Sequence, residues 1–236
     1  MTSDGPREGH RVVVVTGATG GTGRATCVAL AERGERVVAV GRDDASLASL
    51  AAEVGSDLLA TRVCDLLDGD AVRSLAADLV ETYGGVDALF HLVGGWRGGK
   101  AFTESTDDDW AWLSGNLVDT LRHTTLALHD ALAASGRGRV AIVSAAAAST
   151  PTAGNAAYAA AKAAAETWIA SLADSFASDD VTPGSAATVG VVKWIGDGKT
   201  ATRPAELADW LVSLLDREAT ALNGARAELW PGAERA

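Results

Sequence analysis

Cysteine is scarce: Cys27 and Cys64 are the only two in 236 residues. Two thiols make no disulfide framework, and a reduced cytoplasmic protein is the expectation. Long apolar runs are missing too. None approaches the ~18 residues of a membrane span, and the opening MTSDGPREGHR lacks the apolar core of a signal peptide. Positive charge is in deficit, with 20 Lys and Arg against 31 Asp and Glu and a formal net charge of −11. That balance argues against nucleic acid or an anionic membrane as partner, so an anionic ligand must be held by a local site. His10, His91, His123 and His129 stand at no metal-ligand spacing with Cys or acids, and no metal is expected.

What is present is a globular composition, 47% hydrophobic, in a chain whose length suits one large α/β domain. RVVVVTG (11–17), RVVAVG (36–41), LLATRVCD (58–65), VDALFHLVG (86–94), RVAIVS (139–144), SAATVGVVKW (185–194) and ARAELW (225–230) read as strands. Between them lie helical segments at 21–34, 44–54, 70–84, 107–134, 154–177 and 204–216. In 70–84, Val72, Leu75, Ala76, Leu79 and Val80 keep the i, i+3, i+4 spacing of one helix face. Strand and helix alternate throughout, which predicts a parallel sheet with helices on both faces. No linker or repeat interrupts the pattern. Residues 1–10 are expected to fray, and 11–236 to form a single doubly wound Rossmann-type domain.

TGATGGTG (16–23) follows the first strand and opens the first helix. Gly17, Gly20, Gly21 and Gly23, with Thr19 and Thr22 between them, fit a turn that approaches a pyrophosphate closely. The helix N-terminus then offers free N–H groups to the phosphates. The second strand ends VGRDD, with Gly41 where an acid would bind a free ribose 2′-hydroxyl. Arg42 follows, and its guanidinium suits a 2′-phosphate, so NADP(H) is preferred, with NAD(H) as the alternative if Asp43 or Asp44 takes the ribose. Asp65 stands where it could accept from the adenine amino group or cap the next helix. Gly94, after the fourth strand, completes the cofactor side.

AIVSAAAASTPTAGNAAYAAAK (141–162) places Tyr158 and Lys162 one helical turn apart on one face. Together with TGATGGTG and Asn116, this Tyr-x-x-x-Lys pair resembles the short-chain dehydrogenase/reductase family over essentially the whole chain. The resemblance implies that Tyr158 exchanges the substrate proton, that Lys162 holds the cofactor ribose and lowers the tyrosine pKa, and that Asn116 supports a water relay. A cation ~4 Å from a phenolate contributes roughly 4 kcal/mol at an effective dielectric near 20, up to about 3 pKa units. Asn116 has a plainer alternative, a buried residue at a helix kink.

The family's usual serine lies thirteen residues before the tyrosine, and Ala145 is there. Ser144 stands one step off, facing the other side of a strand unless an insertion shifts it, and is kept as a catalytic candidate. Removing one oxyanion-type donor costs about 10²–10³ in rate, so a C=N substrate that develops less negative charge suits this site. HLVGGWRGG (91–99), the alanine at 145 and VTPGSAATVGVV (181–192) resemble the dihydropteridine reductase branch of the family. Arg42 and Asn116 depart from that branch. KWIGDGKTATRP (193–204) is short for a substrate lid, which predicts an open, shallow site. Gly95, Trp96, Ala145 and Trp194 are expected to border the substrate, with the two indoles as flat walls or else as core or interface residues. Trp110, Trp112, Trp168, Trp210 and Trp230 are assigned to packing.

These readings predict a nicotinamide-dependent reductase of a small, planar C=N or C=O substrate. Two alternatives remain: an enzyme of the same fold with no net redox change, and a catalytically silent dinucleotide-binding protein. The Ala-rich helix at 154–177 allows close approach of a second copy, so a homodimer or homotetramer is expected.

Overall fold

Alternation along the first strand sets the layers. Val12 and Val14 point into one apolar cluster, Val13 and Val15 into another, and all four are buried. The computed structural model describes residues 9–178 and 183–232. Its strands are β1 (Val12–Thr16), β2 (Arg36–Gly41), β3 (Leu59–Val63), β4 (Ala88–His91), β5 (Arg139–Ala145), β6 (Ala186–Val192) and β7 (Arg226–Glu228). They form one seven-stranded sheet in the order β3-β2-β1-β4-β5-β6-β7, and every pairing is parallel. The expected doubly wound Rossmann fold is the observed one. A parallel sheet covered on both faces demands apolar residues on both sides of its strands, which the valine runs supply.

The helices are α1 (Gly21–Glu32), α2 (Asp44–Val54), α3 (Gly69–Tyr83), α4 (Asp107–Ser114), α5 (Thr120–Ala134), α6 (Ala156–Phe176), α7 (Pro204–Ser213) and α8 (Ala219–Leu222). Leu79 of α3, Leu121 and Leu128 of α5 and Ile169 of α6 pack on the Val12 and Val14 side. Leu30 of α1, Leu47 of α2 and Leu211 of α7 pack on the Val13 and Val15 side. Among the described residues no helix is long and apolar enough to cross a membrane.

The structure departs from the expected elements in four places. Residues 1–8 of the expected tail lie outside the described residues, but His10 is tied down, its Nδ1 at 2.5 Å from the Gly34 carbonyl. The single helix expected at 107–134 is broken by a wide π turn over Gly115–Asp119. There the Asn116 side chain donates from Nδ2 to the Trp112 carbonyl (2.8 Å), the acceptor its own backbone N–H would use in a regular α-helix. β4 stops at His91, so Leu92, Val93 and Gly94 leave the sheet as a loop. The short α8 carries no strong pattern and was not expected. The first residues of the 181–192 stretch, Val181 and Thr182, lie outside the described residues.

Candidate active site

The C-terminal ends of the strands open onto a cleft with two connected hollows. One, of about 390 Å³, lies over β1, β2 and β4. The other, of about 540 Å³, lies over β5 and β6. Thr22, Gly94, Gly95 and Ile195 border both. This is where a doubly wound sheet binds its ligand, at the point where strand order reverses between β1 and β4.

The first hollow is shaped by glycine. Gly17 has φ +66°, and a Cβ there would lie 2.6 Å from the Leu92 carbonyl oxygen. A Cβ on Gly23 would collide with the Gly17 carbonyl, so α1 can approach the turn only with glycine at that position. The helix begins at Gly21 with no side chain capping it. Its first N–H groups and its dipole thus point into the hollow, and a dinucleotide pyrophosphate fits this cradle. Thr19, Gly20, Gly21, Thr22, Arg42, Asp65, Gly94 and Asn116 border the same space.

Three choices left open by the sequence are narrowed here. Asp43 is the N-cap of α2, accepting from the Ser46 N–H at 2.8 Å, and hydrogen bonding to Ser46 holds its carboxyl below the usual range. Arg42 is exposed at the rim and makes no ion pair among the described residues. Asp65 is not a helix cap. It accepts from the Leu67 N–H in a local turn (3.0 Å), and Asp68 caps α3 instead, accepting from the Asp70 and Ala71 N–H groups.

The second hollow brings Tyr158, Lys162, Ser144, Ala145, Trp96 and Trp194 together. Lys162 is buried, and its Nζ donates to the Val143 carbonyl at 2.8 Å. Burial lowers its pKa from 10.5 to about 8, against an opposing pull from Glu166 one turn along α6. The Lys162 Nζ lies 5.9 Å from the centre of the Tyr158 ring. Tyr158 is correspondingly not tuned downward, because burial raises its pKa above the ordinary value. The expectation of a lysine-lowered tyrosine is corrected for the free protein: desolvation dominates, and the ammonium is already engaged by a carbonyl.

The serine question has a structural answer. β5 runs through Ser144 and Ala145, paired with Val191 and Val192, so their side chains turn to opposite faces. The Ser144 Oγ donates to Glu166 Oε1 at 2.5 Å, and Glu166 Oε2 accepts from Arg226 Nε at 3.0 Å. Ser144 is therefore committed to a side-chain network that runs out to Arg226 at the surface, which corrects its candidacy as hydroxyl partner of Tyr158. Ala145 presents a methyl group to the hollow. Asn116 lies apart from this network. It borders the first hollow and not the second, its amide holds the Trp112 carbonyl, and its own carbonyl accepts from Thr120 Oγ1 at 2.6 Å. It occupies the helix irregularity that was its alternative reading.

Trp96 and Trp194 are 61% and 46% exposed and are not core residues. Trp194 is steadied by Nε1 donating to Thr200 Oγ1 (3.2 Å), and the loop behind it is closed by the Ile195–Thr202 bridge. The Gly-Gly pair after Trp96 has a packing cause: Gly99 N–H donates to the Gly154 carbonyl at 2.8 Å, and a Cβ on Gly98 would strike that same oxygen. One of the packing tryptophans is reassigned: Trp110 is 46% exposed. Trp112 does pack, against the cluster of Leu113, Leu117 and Ala161, and it also borders the first hollow under the Arg97 guanidinium, 4.5 Å from its ring. Sequence reasoning also missed Asn155 and Lys193, which border the second hollow. Asn155 stands at i, i+3 to Tyr158.

His91 is buried beneath the cleft between Thr16, Thr120 and Thr124, and burial first, then the charge of Lys162, pushes its pKa to about 3. It is a neutral, structural imidazole. Among the described residues no group of three or more His, Cys, Asp or Glu side chains is placed to hold a metal ion.

A doubly wound sheet with a glycine cradle at its switch point, and a Tyr-x-x-x-Lys helix beside it, defines a dinucleotide-binding α/β protein. Residues 11–194 match the family described as short chain dehydrogenase, and the chain belongs to that family. It is 37% identical over 103 residues to a 3beta-hydroxysteroid dehydrogenase from Mediterraneibacter gnavus, covering 43% of this chain and 37% of that protein. It is 28% identical over 152 residues to an NADP-dependent 3-hydroxy acid dehydrogenase from Salmonella typhi, covering 64% and 61%. The chain thus spans about half the length, or less, of several curated relatives it matches. Among solved structures, a short chain oxidoreductase from Pseudomonas aeruginosa, described as containing an atypical catalytic center, superposes with a TM-score of 0.83 at 23% identity. That match covers 96% of this chain and 98% of the other, and a Pseudomonas aeruginosa short chain oxidoreductase of the same description is also known with NADPH bound.

Proposed function

We propose that the protein is an NADPH-dependent reductase of a small, planar C=O or C=N substrate, with Tyr158 as proton donor. The observation that carries this reading is the continuity of the cleft: the glycine cradle opens directly into the hollow that holds Tyr158 and Lys162. Reduction adds a hydride to the substrate carbon and a proton to its heteroatom. When bound, the nicotinamide supplies the hydride. Tyr158, whose burial keeps its hydroxyl protonated at neutral pH, supplies the proton and regains one from solvent. The charge left on the phenolate is offset by the nearby Lys162 ammonium.

Arg42 supports the NADPH preference. It follows the end of β2 and makes no ion pair among the described residues, while the neighbouring Asp43 is spent on capping α2. The Salmonella relative is NADP-dependent by its name and a Pseudomonas neighbour is known with NADPH, which agree with that preference. The indoles of Trp96 and Trp194 favour a flat substrate.

The test is a panel of planar carbonyl and cyclic imine compounds assayed with NADPH and with NADH. Substrate-dependent consumption of NADPH, faster than of NADH, is expected. Product formation with no change in either dinucleotide would contradict the reading and favour an isomerase or dehydratase on the same fold.

A further inference from the structure

With Ser144 bound to Glu166 and a methyl group at Ala145, β5 offers no hydroxyl to a substrate beside Tyr158. The other polar groups nearby are mostly engaged. Lys162 Nζ donates to Val143, Trp194 Nε1 donates to Thr200, and Lys193 Nζ lies over the Trp230 ring at 5.4 Å. Asn155 is different. It is half-buried, borders the same hollow, and stands at i, i+3 to Tyr158 where the chain enters α6.

The orientation of its amide is fixed by one contact. Asn155 Oδ1 accepts from the Thr152 backbone N–H at 2.7 Å. A backbone N–H can only donate, so the atom facing it is the oxygen and the opposite end is the NH₂ group. That Nδ2 has no partner among the described residues, and each of its hydrogens can donate.

We propose that Asn155 Nδ2 donates a hydrogen bond to the substrate heteroatom that Tyr158 protonates, filling the role of the hydroxyl missing at Ala145. The inference rests on the reductase reading above and deepens it. A neutral amide is held by the 152–155 turn before substrate arrives, so the donor is in place as negative charge develops on the heteroatom. It also predicts the kind of substrate: one whose heteroatom has a lone pair free for a second donor, as a carbonyl oxygen does after Tyr158 has taken the first.

The test compares Asn155→Ala with Asn155→Asp. Aspartate keeps an oxygen for the Thr152 N–H, and so keeps the turn, but it cannot donate when ionised. Both variants are expected to lose roughly 10²–10³-fold in kcat, with NADPH affinity unchanged and Tm unchanged for Asn155→Asp. Adding Ala145→Ser to Asn155→Ala is expected to recover a large part of the loss, a rescue that a purely structural asparagine would not show. Wild-type kcat in Asn155→Asp, or a loss confined to Asn155→Ala and accompanied by a lower Tm, would overturn the proposal and leave Asn155 as a turn residue. A wild type that binds NADPH but reduces nothing on the panel would instead overturn the reductase reading, and the role of Asn155 with it.

Discussion

Asp87 at the N-terminal end of the parallel sheet and the cleft at its C-terminal end treat polar groups in opposite ways. At the N-terminal end, Asp87 is fully buried and accepts from the Val12 N–H, Ser135 Oγ and Arg137 Nε. Burial alone would raise its carboxyl, but these bonds together hold it below the usual range. Close by, Arg139 donates to the carbonyls of Leu214, Gly138, Gly184 and Arg217. At the C-terminal end the same sheet is rimmed by glycine, by a Tyr158 whose pKa is raised, and by Arg42 and the Asn155 Nδ2, which have no partner among the described residues. Saturated polar groups secure a fold, and unsatisfied ones beside a cavity are kept for a ligand.

The contrast can be broken most forcefully at Tyr158. Tyr158→Phe is expected to lower turnover by roughly 10²–10⁴-fold, the usual worth of a positioned acid, while thermal unfolding stays where it was. A large drop in Tm would mean that the hydroxyl serves the fold. Asp87→Ala is the mirror experiment. Leaving a backbone N–H and a serine hydroxyl unpaired in the interior should cost about 3 kcal/mol, or roughly 6–12 °C in Tm, without altering NADPH affinity in the folded protein. Its pH dependence has a definite sign. Because the folded carboxyl is depressed, its stabilisation is present above the unfolded value near 4 and is lost as pH falls through the folded one. Unfolding of the wild type below about pH 4 should therefore be steeper than that of Asp87→Ala. Identical acid profiles would remove Asp87 from the structural end of the comparison.

Smaller effects sharpen the picture at the ligand end. Arg42→Ala is expected to weaken NADPH relative to NADH by about ten- to a hundredfold, the range of a charged hydrogen bond. An unchanged ratio in competitive binding would take Arg42 out of the site. Glu166→Gln removes the negative charge that raises Lys162, so the midpoint near pH 8 should move lower. Titration of NADPH affinity against pH reads this directly, since affinity is expected to fall as Lys162 loses its proton. A profile that does not move would separate Glu166 from Lys162.

Much of this was legible in the sequence where a local signal and the tertiary outcome agree. The helix expected at 44–54 is α2, and its ends are set by local chemistry: Asp43 caps it and Gly55 stops it in a left-handed conformation. The opposite facing of Ser144 and Ala145 followed from strand alternation alone. What stayed hidden depends on distant partners or on burial. The kink at Asn116 was legible only as an alternative, and the partner that its amide takes, the Trp112 carbonyl, was not. Glu166 meets Ser144 from a helix twenty-two positions later. The raised Tyr158 comes from desolvation, which no spacing encodes. Asn155 was overlooked because an asparagine before a helix reads as a turn residue, and its free end becomes visible only once Thr152 is seen to hold the other.

The most direct test of the reductase assignment follows the hydrogen itself. NADPH carrying deuterium on the transferable face of its nicotinamide would be turned over with a substrate found by the panel, and the product analysed by mass spectrometry and NMR. The account predicts one deuterium bound to the carbon that was reduced, with NADP⁺ formed in equal amount. Product that forms without deuterium, or with NADPH unconsumed, would contradict it.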